Sequence, residues 1–209
     1  MKKVVIVGAG GFGKEVAWMA QRCGRDILGF LDGTPEKQNT TIMGYDVLGP
    51  LENAKDYFDC EFVLAIGNPR SRKKIIDYYF NDEKFQFTTL VDPSAIVGVQ
   101  VKIGVGSIIC AGTILTVNID VGSHTIININ STVGHDVRIH DFVTIAPNAS
   151  ISGNVILQDL VEVGTNASIR EKLEVKYGAV IGMGAVLTKN VEDNMVMVGN
   201  PAKILRVMA

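Results

Sequence analysis

Twenty Lys and Arg against 22 Asp and Glu leave this 209-residue chain a formal charge of −2, which argues against a protein held to nucleic acid or anionic membrane by bulk electrostatics. Hydrophobic residues at 47% and charged residues at 20% supply a sizeable core and exclude a disordered chain. Cys23, Cys60 and Cys110 lie far apart, no apolar run nears the ~18 residues that span a bilayer, and the run Val4 to Val7 breaks at Gly8, too short for a signal peptide; a reducing cytoplasm is the expected compartment.

Residues 1–90 read as a small Rossmann-like domain. Strands are predicted near 3–7, 27–31, 61–66 and 86–90. The first runs into Gly8-Ala9-Gly10-Gly11-Phe12-Gly13 and then an amphipathic helix carrying Val16, Met19 and Ala20. Such glycines allow a tight turn and let backbone N–H groups at a helix start approach a pyrophosphate. Asp32, followed by Gly33, ends the second strand 19 residues after Gly13, where a carboxylate can hold a ribose. The motif alone suits NAD, a nucleotide sugar or a structural turn. Four strands are too few for a full dinucleotide fold, and no domain suited to hydride transfer follows, which favours the nucleotide sugar. A second strand-to-helix junction carries Gly67, and open α/β sheets bind ligands at that edge. Arg70, Arg72 and Lys73 follow it, to meet phosphate or to form a solvated helix face.

From Val91 to Leu187 every sixth residue is Ile, Leu or Val, 17 positions without an insertion. Neither the helical period nor strand alternation gives six. A solenoid of very short strands does, with one bulky inward side chain per flat face and three faces per coil of 18 residues. Gly often follows the aliphatic, at 98, 104, 122, 134, 164 and 182, and Gly and Asn are expected to supply positive φ at the turns.

This repeat resembles the hexapeptide transferase family over residues 91–206, closing on Gly199-Asn200-Pro201-Ala202-Lys203. The resemblance implies a left-handed parallel β-helix for residues 91–209, although the general crossover rule predicts the opposite hand. Together with the Gly-rich front domain, the chain resembles the sugar O-/N-acyltransferases of the sialic acid O-acetyltransferase and bacterial UDP-amino-sugar N-acetyltransferase group. The resemblance implies that Gly8, Gly10, Gly11, Phe12, Asp32, Gly33 and Gly67 hold a nucleotide sugar. It also implies that acetyl-CoA lies along the β-helix of a homotrimer.

His135 precedes Asp136 just past an inward Val133, so it should point outward. Acetyl transfer needs a base active near neutral pH, and an adjacent carboxylate fixes an imidazole's tautomer. One 18-residue coil later lies Gly153, which should stack beside His135; the resemblance gives its N–H the thioester carbonyl to bind. The resemblance also places Thr144, Thr165 and Met183 against acetyl-CoA. His124 and His140 are expected on the surface. No cluster has zinc spacing, and a covalent route through Cys110 has no base in register.

The expected reaction is acetyl transfer from acetyl-CoA to the amino group of a UDP-4-amino-sugar in bacterial glycan biosynthesis. O-acetylation of sialic acid or a related sugar is the alternative enzyme reading. A non-catalytic nucleotide-sugar-binding assembly module is the alternative of another class, against which His135-Asp136 argues. Ile114, Ile119, Ile126 and Val137 fall outside the inward series and are expected to be exposed until a trimer covers them.

Overall fold

The computed structural model describes residues 2–208. The front domain runs β1 (Val4–Val7), α1 (Gly11–Arg22), β2 (Ile27–Leu31), β3 (Thr41–Ile42), β4 (Tyr45–Gly49), β5 (Glu61–Leu64), α2 (Pro69–Tyr79) and β6 (Gln86–Phe87). Its sheet order is β3-β4-β2-β1-β5-β6, parallel throughout except for β3 against β4. The central β1 is buried on both faces, so it reads as four consecutive apolar residues without alternation. Val16, Met19 and Ala20 of α1 pack on one face of this sheet. Phe62, Phe80 and Phe85 pack on the other, edge-to-face.

The sheet therefore has six strands where four were expected. Of the two missed strands, β3 has only two residues, and β4 carries an exposed Asp46 and two half-buried residues that break the apolar pattern. Gly29 lets β4 approach, since a Cβ there would lie 2.5 Å from the Asp46 carbonyl oxygen. The predicted strand at 86–90 splits. Gln86–Phe87 joins the front sheet, whereas Leu90–Val91 begins the β-helix.

The β-helix is left-handed and has three faces. The first carries the two-residue strands beginning at Leu90, Ile108, Ile126, Thr144, Glu162 and Val180; the second those beginning at Ile96, Ile114, Thr132, Ser150, Ser168 and Val186. The third runs from Val101–Ile103 and Ile119–Val121 through Arg138, Ile156 and Glu174. Partners among these strands are 18 residues apart, as in Ile109↔Ile127 and Val133↔Ile151, and the spacing shortens to 16 only at the last pairings, Ile181↔Met197 and Val175↔Val191. A first corner follows the first face, and a second and third follow the other two. The inward aliphatics are buried from Ile109 to Leu187. Val91, Val97 and Ile103 are less covered because the first coil has no neighbour below it.

The glycines after the aliphatics do not carry the positive φ. They permit close approach instead: a Cβ on Gly104 would fall 2.5 Å from the Gly122 carbonyl carbon, and one on Gly164 2.5 Å from the Met183 nitrogen. The left-handed residue lies two positions later, recurring every six from Gln100 to Gly184. Asn118, Asn130, Asn148, Asn154 and Asn166 hold five of these sites, since a short amide tolerates this region better than most side chains.

The front domain covers the outer side of the first face. Leu90, Ile108 and Ile126 share a core cluster with Val16, Met19 and Phe30. Two of the aliphatics expected on the surface of a monomer are inside the coil instead. Ile119 and Val137 occupy the second inward register, two residues before Val121 and Ile139. Ile126 is covered by the front domain, and Ile114 is half-buried. These four residues therefore give no argument for a trimer.

Candidate active site

His135 stands exposed on the second corner, on the side of the coil away from the front domain. Its Nδ1 lies 2.7 Å from Asp136 Oδ2. Asp136 has a φ of 61°, a conformation that turns its carboxylate back along the corner toward its neighbour. The other carboxylate oxygen, Oδ1, accepts a hydrogen bond from Asn118 Nδ2 at 2.6 Å. The His135 contact, then the Asn118 bond, hold the Asp136 carboxyl below the usual carboxylate range. An ionised Asp136 only accepts hydrogen bonds, so the proton of a neutral His135 sits on Nδ1. Nε2 is left with a lone pair facing outward.

Gly153 stacks against this imidazole. A Cβ there would lie 2.6 Å from His135 Nε2 and 2.7 Å from Cε1. The Gly153 carbonyl accepts from Lys172 N–H at 3.0 Å, and the His135 carbonyl from Asn154 N–H at 2.9 Å. The Gly153 N–H finds no acceptor among the described residues. A general base beside an uncommitted backbone donor suits acyl transfer. Sequence reasoning missed Asn118, although subtracting one coil from Asp136 points to it.

The glycine loop lies at the carboxyl end of β1. Gly8 makes the turn with a φ of 101°, and Gly13 brings α1 onto the strand, where a Cβ would fall 2.2 Å from the Gly8 carbonyl oxygen. Gly10 and Gly11 are exposed, with open space where a side chain would stand. Asp32 is buried beside them. Its Oδ2 accepts from Ala9 N–H at 2.7 Å and Lys37 Nζ at 2.8 Å, and its Oδ1 from Thr34 N–H at 2.9 Å. Burial pushes this carboxyl up, but Lys37, Thr34 and Ala9 outweigh it and hold its pKa at about 2. Asp32 thus braces the loop. Gly33 and Gly67 are exposed at the same edge of the sheet.

Residues 3–79 match the model of the PglD N-terminal domain family. Among solved structures, WeeI from Acinetobacter baumannii AYE is 34% identical, with a TM-score of 0.88 over 98% of this chain and 100% of that one. The chain belongs to the hexapeptide-repeat sugar acetyltransferases. A mutant of perosamine N-acetyltransferase from Caulobacter crescentus, in complex with CoA and GDP-perosamine, is 25% identical, with a TM-score of 0.89 over 98% and 97% of the two chains. The acetyltransferase domain of PglB from Neisseria gonorrhoeae FA1090, in complex with acetyl coenzyme A, is 28% identical, with a TM-score of 0.74 over 98% and 99%. Comparison with curated protein sequences gives no significant match.

In this sugar acetyltransferase several expected ligand contacts have other duties. The Thr144 hydroxyl donates to the Gly67 carbonyl at 2.7 Å and accepts from Arg72 Nη2 at 3.0 Å. The residue is buried beneath the front domain, with its hydroxyl committed to these two partners. Arg72 is fully buried and meets no phosphate. It donates to the carbonyls of Ile66 and Gly67 on its own side and of His124, Phe142 and Val143 across the junction. Arg70 reaches the Gly178 carbonyl at 2.5 Å, and Lys73 pairs with Asp77 on the surface. The basic cluster is thus mostly an interdomain clamp.

His124 is likewise inside. Its ring stacks on Phe142 and meets Phe87 edge-on, and its Nδ1 has no partner among the described residues. Burial, then the Arg72 charge, lower its pKa to about 4. His140 is exposed, as expected. Cys110 is buried between the domains, which pushes its thiol up to about 12 and keeps it protonated. Thr165 and Met183 lie on the first corner, half-buried and exposed respectively. The glycine-loop residue Phe12 also packs there, beside Cys110, Ala111 and Ile129. Within one chain these residues are not brought to His135, which occupies a different edge of the coil. Among the described residues no helix is long and apolar enough to cross a membrane, and no three His, Cys, Asp or Glu gather to hold a metal.

Proposed function

We propose that this acetyltransferase moves the acetyl group of acetyl-CoA to the amino group of a nucleotide-linked amino sugar, with His135 as general base. The observation that carries the reading is the Asn118–Asp136–His135 chain, which occupies Nδ1 and leaves Nε2 free beside Gly153. As the amine nitrogen attacks the thioester carbonyl carbon, His135 Nε2 takes the amine proton. The carbonyl oxygen gains the negative charge, and the Gly153 N–H is the donor we assign to it. Collapse breaks the carbon–sulfur bond, and the imidazolium returns its proton to the leaving thiolate. Asp136 stabilises the imidazolium in between.

The perosamine N-acetyltransferase complex with CoA and GDP-perosamine supports nitrogen over oxygen as the acceptor and a nucleotide sugar as the substrate class. The open cradle at Gly10 and Gly11, at a helix start, suits its diphosphate. Within that class we take a UDP-linked 4-amino sugar as the acceptor, to be tested against GDP- and dTDP-linked amino sugars. The three free cysteines fit the cytoplasmic location we propose.

The glycine loop lies beside the first corner, with Thr165 and Met183, and His135 on the second. That division supports a homotrimer in which one subunit's His135 serves a nucleotide sugar held by its neighbour, with three equivalent sites under cyclic symmetry. The 1–90 and 91–209 division then assigns sugar binding to the front domain and chemistry to the coil. Thiol release from acetyl-CoA, scored over the nucleotide-sugar panel, tests the reading. His135→Ala should lower turnover by on the order of 10²–10⁴ without loss of fold, and Asp136→Asn by less. Wild-type turnover in His135→Ala would overturn the base assignment. Sedimentation equilibrium should return about three times the chain mass, and a fully active monomer would overturn the shared site.

A further inference from the structure

Asp136 can orient His135 only if its own carboxylate is held. The residue is half-buried at a corner with solvent on one side, and one contact, at Oδ2, would leave the carboxylate free to swing about its terminal torsion. The second contact comes from the coil below. Asn118 sits one coil before Asp136, in the same left-handed register, with a φ of 54°. Its Nδ2 reaches Asp136 Oδ1 at 2.6 Å.

Asn118 is itself fixed from several sides. Its N–H donates to the Val99 carbonyl at 3.0 Å. Its carbonyl accepts from Arg138 Nη1 at 2.8 Å, and Arg138 Nε pairs with Asp120 Oδ2 at 3.1 Å. The Asp136 N–H donates to the Val117 carbonyl, locking the two corner backbones in register. The amide therefore projects from a rigid platform.

We infer that Asn118 is a positioning residue for acetyl transfer: it pins the Asp136 carboxylate, and through it the His135 imidazole, while touching neither substrate. This rests on His135 being the base. The side chain's role follows from geometry. Its donor fills the one carboxylate oxygen that His135 does not use, so Oδ2 and Nδ1 stay aligned before substrate arrives. Such preorganisation acts on turnover and leaves substrate affinity alone.

The test is a double-mutant cycle in the thiol-release assay. Asn118→Gly is the suitable truncation, because glycine keeps the left-handed φ that alanine would strain. Its kcat should fall roughly fivefold, the effect of one ordinary net hydrogen bond at a corner open to solvent, with KM for acetyl-CoA and for the amino sugar unchanged. Asp136→Gly serves as the second arm for the same backbone reason. In that background Asn118→Gly should cost nothing further, because the group it acts through is gone. If Asp136→Gly does not melt cooperatively, Asp136→Asn replaces it, and the further cost should then fall below the loss seen in the wild-type background. Independent multiplication of the two losses, a wild-type kcat in Asn118→Gly, or a loss confined to KM would each overturn the assignment. His135→Ala, measured alongside, separates the two ideas. If it is active, the base reading falls. If it is inactive while Asn118→Gly behaves as wild type, only the role of Asn118 falls.

Discussion

A methyl group at position 153 is the sharpest probe of this site. In Gly153→Ala the new Cβ would lie 2.6 Å from His135 Nε2 and 2.7 Å from Cε1. Carbon needs about 3.5 Å or more from its neighbours, so the imidazole must retreat by about 1 Å. It can do so, because His135 is exposed and its ring is not wedged in the core. The cost to folding should therefore stay near 0.5 kcal/mol, that of an ordinary surface change. Catalysis has no such latitude. The retreat pulls Nδ1 from the 2.7 Å contact with Asp136 and moves Nε2 off the line to the acceptor. A misplacement of that size costs on the order of 10²-fold in rate. The backbone N–H of residue 153 survives the substitution, so the loss would report the imidazole and not the oxyanion donor. Steady-state thiol release at saturating substrates reads kcat, and thermal melting controls for fold. A kcat within twofold of wild type, with an unchanged melting midpoint, would show that His135 does not work from this position.

Gly11→Val should fill the open space over the glycine loop without disturbing the fold; by calorimetry, nucleotide-sugar binding should weaken by about tenfold or more, roughly 1.4 kcal/mol, while acetyl-CoA binding holds, and equal affinities would remove the loop from the site. Arg72→Ala should leave carbonyls of both domains unpaired in a buried junction, costing about 3 kcal/mol and lowering the melting midpoint by roughly 6–12 °C; an unchanged midpoint would mean that Arg72 clamps nothing. His124 should add acid sensitivity. Its folded pKa is lowered to about 4 from 6.5, so the unfolded chain binds more protons between those values and stability falls as pH drops through that window. The loss should approach roughly 3 kcal/mol at pH 4. His124→Asn, which keeps the left-handed corner, should flatten the melting profile between pH 6.5 and 4, and identical wild-type and variant slopes would refute the assignment.

The coil was legible in the sequence because its contacts repeat. Each inward residue meets the residue 18 positions away, so one physical rule writes itself 17 times, from Val91 to Leu187. The same rule gave the pairing of His135 with Gly153. Asn118 was within reach of it too, one coil below Asp136. The glycines were noticed for the right positions and the wrong reason. A residue's name does not say whether its missing Cβ serves a turn or a close approach, and only the stacked neighbour at Gly104 or Gly164 decides that.

The junction between the domains left no such trace. Arg72 on α2 meets His124, Phe142 and Val143 some 50 to 70 residues away, and α1 packs on Ile108 and Ile126. Two unlike surfaces met once, with no period to announce the meeting. Arg72 therefore read as a solvated or phosphate-facing cation, His124 as a surface residue and Ile126 as an exposed aliphatic. Burial reversed all three, because a side chain's environment is set by what docks against it. The sequence by itself determined the coil, its register and the His135-Asp136 corner, where the partners are local or periodic. Tertiary structure alone decided which face of the coil was covered, and so which polar groups were left to meet a ligand.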